Sequence, residues 1–189
     1  MVLEGIIIDK KPLKEHLEAV GHKDAFEYVK QLVSENTVLS ENIIKNIHSL
    51  VLIDRPQDKG VYRRIPVRIS GTKVDPPQPY AVGFKMEELM RNYSSVNNKL
   101  HNIEKVARFH LDFEEIHPFI DGNGRTGRLI LNLELMKNGY PPVSIKFTDR
   151  KRYYECFQEY TEKSDSSKMI LMLSKFIEEE LDKYLLILE

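Results

Sequence analysis

The chain is 189 residues long, which suits one compact domain. Its 28 Lys and Arg against 29 Asp and Glu leave a net charge of −1, so there is no broad electrostatic case for nucleic acid or an anionic membrane. The apolar runs fall far short of the roughly 20 residues of a membrane span. Met1-Val2-Leu3-Glu4-Gly5 lacks the basic start of a signal peptide, and lone Cys156 forms no internal disulfide and fits a reducing cytoplasm.

Residues 1–11 read as an irregular lead, with Pro12 as a helix opener. Leu13, Leu17, Val20, Ala25, Phe26, Val29, Leu32 and Val33 predict one or two helical stretches, broken near Gly21, so that residues 1–39 form a helical lead. His16 and His22 lie here with no chemistry assigned. Ser40 is a predicted N-cap for a helix with an apolar face of Ile43, Ile44, Ile47, Leu50 and Val51. From residue 60 to 82 the pattern changes. Val61, Tyr62, Ile65, Val67 and Ile69 are strand formers, followed by Gly71 and the breaker Asp75-Pro-Pro-Gln-Pro79. A short β-hairpin and loop are expected inside a helical protein. Met86, Leu89 and Met90 open another helix. A further one, from about Lys99 to Ile116, carries Ile103, Val106, Ala107, His110, Phe113 and Ile116 at helix spacing and delivers His117. Glu114-x-x-His117 has the spacing of a helical metal-ligand pair. A di-iron bundle needs that element twice, and no second copy occurs, so the reading is rejected. His110 is expected in the core.

Chemistry concentrates in His117-Pro-Phe-Ile-Asp-Gly-Asn-Gly-Arg-Thr-Gly-Arg128. The apolar run Leu129–Met136 follows at once and predicts a buried helix, so the glycines fall where that helix begins. Unsatisfied N–H groups and the positive end of the helix dipole meet there, which suits phosphate. Arg125 and Arg128 lie three apart and offer two guanidinium forks to a polyphosphate. Asp121 supplies a hard oxygen of the kind Mg²⁺ prefers. His117, with an ordinary pKa of about 6.5, can accept a proton from a hydroxyl. Gly122, Gly124 and Gly127 spell Gly-x-Gly-x-x-Gly literally, but the segment before them is helical, which excludes a dinucleotide-binding Rossmann unit. No Gly-Lys-Ser/Thr follows, so a Walker A loop is excluded as well. Downstream, Asn138-Gly139-Tyr-Pro-Pro142 closes the motif helix, Asp149 caps a helix bearing Tyr153, Tyr154, Phe157 and Tyr160, and residues 167–188 form a closing helix or part of a dimer contact.

The stretch from His117 to Arg128 resembles the Fic (Fido) family pattern His-x-Phe-x-Asp/Glu-Gly-Asn-Gly-Arg-x-x-Arg at every fixed position, and the rest of the chain is similar to a Fic domain from near its start to its last helix. The resemblance implies a mainly α, single-domain Fic/Fido bundle over residues 1–189, with a β-hairpin flap at 60–82. It implies transfer of AMP from ATP, with Mg²⁺, to a Tyr, Thr or Ser hydroxyl of a target protein, releasing pyrophosphate. His117 is then the base and Asp121 the Mg²⁺ ligand. Gly122, Asn123 and Gly124 cradle the α- and β-phosphates, Arg125 and Arg128 hold the β- and γ-phosphates, and Thr126 and Gly127 complete the nucleotide-binding run. On the flap, Ser70, Gly71, Thr72 and Lys73 match positions that touch nucleotide, and the target docks by strand addition. Tyr153 and Tyr154 match the adenine pocket. Thr161 stands where the family carries an asparagine that reads adenine, which loosens the expected base selection.

The resemblance also frames the alternatives. Thr37-Val-Leu-Ser-Glu41-Asn42 fits the family's inhibitory pattern literally and is read as coincidence, because the pattern is short and the cap explains Ser40. The chain is similar to class II members from a point after their inhibitory helix, so Arg128 is expected to lack its internal competitor. Doc-type phosphotransferases carry lysine where Gly124 stands, which favours AMP transfer over phosphorylation. Removal of AMP, a silent binding module and a homodimer remain open at this stage.

Overall fold

In the computed structural model, residues 13–69, 75–95 and 99–188 are described. Their helices are α1 (Leu13–Ser34), α2 (Glu41–Val51), α3 (Pro79–Ser95), α4 (Asn102–Ile116), α5 (Asn123–Lys137), α6 (Arg150–Lys163) and α7 (Ser167–Leu188), with one 3₁₀ turn at Phe147–Asp149. α5 is the axis. It packs against α4, α1 and α2. Its Leu129, Ile130 and Leu133 join one core with residues of α1 to α4, while Leu131 and Leu135 join a second with α4, α6 and α7. A helix apolar all round has to be enclosed, and this one is, as the run after the glycines predicts. α4 is shared in the same way: Phe109, Phe113 and Ile116 face the first core, Val106, Ala107 and Leu111 the second.

Three local expectations need correction. α1 runs unbroken through Gly21, because α2 lies so close that a Cβ there would collide with the Leu50 carbonyl oxygen. The glycine is a packing contact, and the register of α1 continues past it. The β-hairpin flap is also absent: among the described residues there is no strand, 61–69 and 75–78 are irregular, and α3 begins at Pro79. The physical reason lies in the hydrogen bonds. The Arg63 N–H donates to the Pro118 carbonyl, the Arg63 guanidinium to carbonyls of Ile65 and Pro77, and prolines 76 and 77 have no N–H for a ladder. Third, Asp149 precedes α6 but makes no side-chain capping bond. The cap at Ser40 is present, its Oγ accepting the Ile43 N–H at 3.4 Å. Pro12 lies outside the described residues.

Candidate active site

The end of α4 and the start of α5 are joined by six residues, 117–122, that turn back on themselves. α4 stops because His117 adopts a left-handed conformation, φ 49°, while its N–H still closes the last turn on Phe113. A β-carbon-bearing residue pays a steric cost there, so neighbours must hold it. Arg63 does this: buried, it donates from Nε to the His117 carbonyl at 2.8 Å and from Nη2 to that of Ile116 at 3.4 Å. Asn123 ties the other side. Its Oδ1 accepts the Phe119 N–H and its Nδ2 donates to the Phe119 carbonyl, both at 2.8 Å. The carboxamide is therefore spent on the turn, which leaves Asn123 its backbone N–H to offer a ligand.

His48 of α2 completes the frame. Its ring stacks on Phe119 at 3.6 Å. Nδ1 accepts the Gly60 N–H at 2.8 Å, so Nε2 carries the proton and donates to the Asp121 carbonyl at 3.0 Å. Burial drives this imidazole down to about 4, so it stays neutral and keeps that tautomer. Gly122 turns beside the ring at φ 76°, a left-handed angle that favours glycine, although a Cβ there would make only ordinary van der Waals contact with His48.

These ties aim two sets of groups at one pocket of about 330 Å³, lined by His117, Asp121, Gly122, Asn123, Gly124, Arg128, Tyr153, Tyr154, Phe157, Glu114 and Arg68 among others. At the α5 end, the N–H groups of Asn123, Gly124 and Arg125 have no intrahelical acceptor and point outward from the helix start. At the α4 end, His117 Nδ1 lies 3.3 Å from the Glu114 carbonyl, which can only accept, so the proton sits on Nδ1 and Nε2 is a free base. Burial first, and then Arg63, hold the imidazole below its ordinary pKa, so it is neutral at pH 7. Asp121 accepts the Gly122 N–H at 2.6 Å and makes only long ion pairs, 3.5 Å to Arg55 and 3.8 Å to Arg125. One accessible carboxylate beside an anion cradle fits Mg²⁺ held jointly with phosphate oxygens. Among the described residues, no group of three or more His, Cys, Asp or Glu could hold a metal by itself.

Not every expected site residue reaches the pocket. Arg125 turns toward Glu18, 3.7 Å away, and lines a separate groove with His22 and Phe26. Thr126 is fully buried, and Gly127 lies under Glu114, so both support the turn from behind. Tyr153 and Tyr154 do line the pocket; Tyr153 is buried, with its hydroxyl 2.6 Å from His110 Nε2. Thr161 bonds Glu115, which lines the pocket, but Thr161 itself lines a neighbouring cavity. Glu41 accepts from Tyr62 and approaches Lys45, in keeping with a coincidental match to the inhibitory pattern. Ser70, Gly71, Thr72 and Lys73 lie outside the described residues. Arg63 and His48 escaped the sequence reading. Neither sits in a motif, and only a mid-chain arginine amid strand formers hints at a carbonyl-binding role.

Fold and pocket together define a helical domain with a histidine closing one helix and open backbone N–H groups beginning the next, both on one pocket. Residues 38–135 match the Fic/DOC family, and the chain belongs to that family. It is 34% identical over 181 residues to the protein adenylyltransferase Fic of Drosophila grimshawi, covering 94% of this chain and 37% of that protein. The figures for that of Drosophila mojavensis are 33% over 180 residues, 94% and 35%. The chain thus spans little more than a third of the length of these relatives. Among solved structures, Fic-1 of C. elegans superposes with a TM-score of 0.87 at 28% identity, covering 99% of this chain and 56% of that one. A Fic-domain signaling protein of Bacteroides thetaiotaomicron, at 0.82 and 23%, covering 93% and 73%, shares the fold.

Proposed function

We propose that this chain transfers AMP from ATP to a hydroxyl of a target protein. The observation that carries this reading is the free Nε2 of His117 in the same pocket as the open N-terminus of α5. The triphosphate lies along the open N–H groups of residues 123–125, while that of Gly122 is held by Asp121, with Arg128 on the outer phosphates. A target Tyr, Thr or Ser oxygen attacks the α-phosphorus in line. The O–Pα bond forms, the hydroxyl proton passes to Nε2, the bond from Pα to the bridging oxygen breaks, and pyrophosphate leaves. Asp121 would hold Mg²⁺, which when bound neutralises charge on the phosphates. Arg125 joins the outer phosphates only by leaving Glu18, so the nucleotide competes with that ion pair. Tyr153 and Tyr154 wall the base. The curated relatives named protein adenylyltransferases support the same chemistry.

Gly124 favours AMP transfer over phosphorylation. A Cβ there would stand 3.3 Å from Arg128 Nη1, so a longer side chain would contend with the arginine for the same anion. The target is proposed to lie along 61–69, with residues 70–73 touching nucleotide. That segment is tied to the catalytic turn through Arg63 and Pro118 and exposes Val61 and Ile65. The buried free thiol of Cys156 accords with a reducing compartment, and no described helix is long and apolar enough to cross a membrane.

Incubation with α-labelled and with γ-labelled ATP tests the reading against its rivals. Label from the α position alone is expected on protein, and it should vanish in His117→Ala while ATP still binds. Label from the γ position would mean phosphorylation, and no label from either a binding module.

A further inference from the structure

Two acids lining the pocket, Glu114 and Glu115, take no part in the chemistry above, and Glu114 is the buried one. Glu114 stands one helical turn before His117, on the same face of α4. Its side chain is 11% exposed, and its Oε2 lies 3.8 Å from His117 Nδ1. Its Oε1 is buried without a hydrogen-bond partner. That oxygen occupies the space over Gly127, where any Cβ would collide with it, so a small residue on α5 makes room for a carboxyl on α4. Arg128 faces it from α5, Tyr153 from α6, and His110 and His117 from its own helix. A carboxyl withdrawn from water and left half-paired is costly unless a cation forms beside it. Burial raises it to about 7, with Arg128 pulling the other way, so it is ionised in about half the molecules at neutral pH.

We propose that Glu114 is a positioning residue for His117, its carboxylate facing Nδ1–H and stabilising the imidazolium that forms when Nε2 takes the hydroxyl proton. The inference rests on His117 being the base in the reading above. No proton moves to Glu114: Nδ1 keeps its hydrogen, shared between the Glu114 carbonyl and carboxylate, and Nε2 gains the one from the hydroxyl. Phosphates on Arg128 draw the guanidinium away and leave the imidazolium as the nearest cation for the carboxylate. A carboxylate behind a histidine base holds the ring and its charge in the same manner in serine-protease triads.

The test follows the His117 ring nitrogens by NMR and the AMP-transfer rate at saturating ATP, both against pH, in wild type and Glu114→Gln. In wild type the ring should show two inflections, an upper one near 7 from Glu114 and a lower one of its own. Glu114→Gln should keep only the lower. Above the upper inflection the variant should transfer about tenfold more slowly, with the KM for ATP within about twofold of wild type; below pH 6 the two rates should converge. Gly127→Ala, which pushes the carboxyl aside without removing it, should also lose the upper inflection, and it decides the matter if Glu114→Gln does not fold. Identical ring titrations and rates in wild type and variant overturn the inference. So does a raised KM with an unchanged rate, which would place the carboxyl behind Arg128 instead. A wild-type chain with both inflections but no transfer overturns the AMP-transfer reading and leaves the Glu114–His117 coupling standing.

Discussion

Arg63 shows how far one side chain can fix the backbone that carries His117, the proposed base. Its guanidinium answers carbonyls from Ile65, Pro77, Ile116 and His117. Two of these belong to the end of α4 and two to the segment outside the pocket, so one planar fork fastens the strained His117 to the wall where a target is proposed to lie. Arg63→Met should cost about 3 kcal/mol of stability, because buried carbonyls lose charged donors. It should also slow AMP transfer at least about tenfold, because His117 is no longer held in its left-handed geometry. Arg63→Lys should recover little of either, since one ammonium cannot address carbonyls spread in several directions. Denaturant unfolding and α-label transfer on the two variants check this. A Lys variant with wild-type behaviour would contradict it.

Between elements, the two glycines of α1 and α3 make opposite predictions. Gly21 allows α1 to lie directly on the Leu50 carbonyl of α2, and α1 also packs on α5. Gly21→Ala should therefore lower stability by about 1–3 kcal/mol, despite alanine's better helix propensity, because a rigid backbone contact must open. Gly83 in α3 has nothing within 4 Å of where a Cβ would sit. Gly83→Ala should gain about 0.5–1 kcal/mol from backbone entropy alone. Thermal unfolding of the pair gives melting temperatures that move in opposite directions if the packing is as described. The same logic explains α5. Its two apolar faces feed two cores, so a substitution such as Leu133→Ala loosens the helix on which the anion cradle depends.

Across the whole molecule, buried histidines set the acid side of stability. Burial drives His48 to about 4 and His110 to about 3, so between the ordinary imidazole value and those pH values the unfolded chain binds protons that the folded chain refuses. Stability must then fall as pH falls. Glu114, held near 7, works the other way between its ordinary value and 7, since the folded chain holds that proton more tightly. Two histidines outweigh one carboxyl, which leaves a net loss on the order of 1.4 kcal/mol per pH unit of acidification across the shared window. Urea unfolding between pH 6.5 and 4.5 should show this loss. Glu114→Gln should steepen it and His48→Gln should flatten it. Equal slopes in all three proteins would mean that these groups are not buried as described.

The sequence by itself determined the helical architecture, the position of α5 and the pocket groups His117, Asp121, Gly122, Asn123, Gly124 and Arg128. Each rests on local signals: a 3.6-residue period, a cap at Ser40, glycines at a helix start. Local signals cannot say which side of a turn a carboxamide faces, and that of Asn123 is bound to Phe119. They overvalued the strand formers of 61–69, whose hydrogen bonds go instead to the turn and to Arg63. They also missed His48 and Arg63, which lie 73 residues from Asp121 and 54 from His117 in the turn they hold. Only the packing of α1 and α2 against α5 decided those roles. A hydrogen bond between distant residues leaves no periodic trace in the chain, and it exists only once the helices that carry the two ends have met.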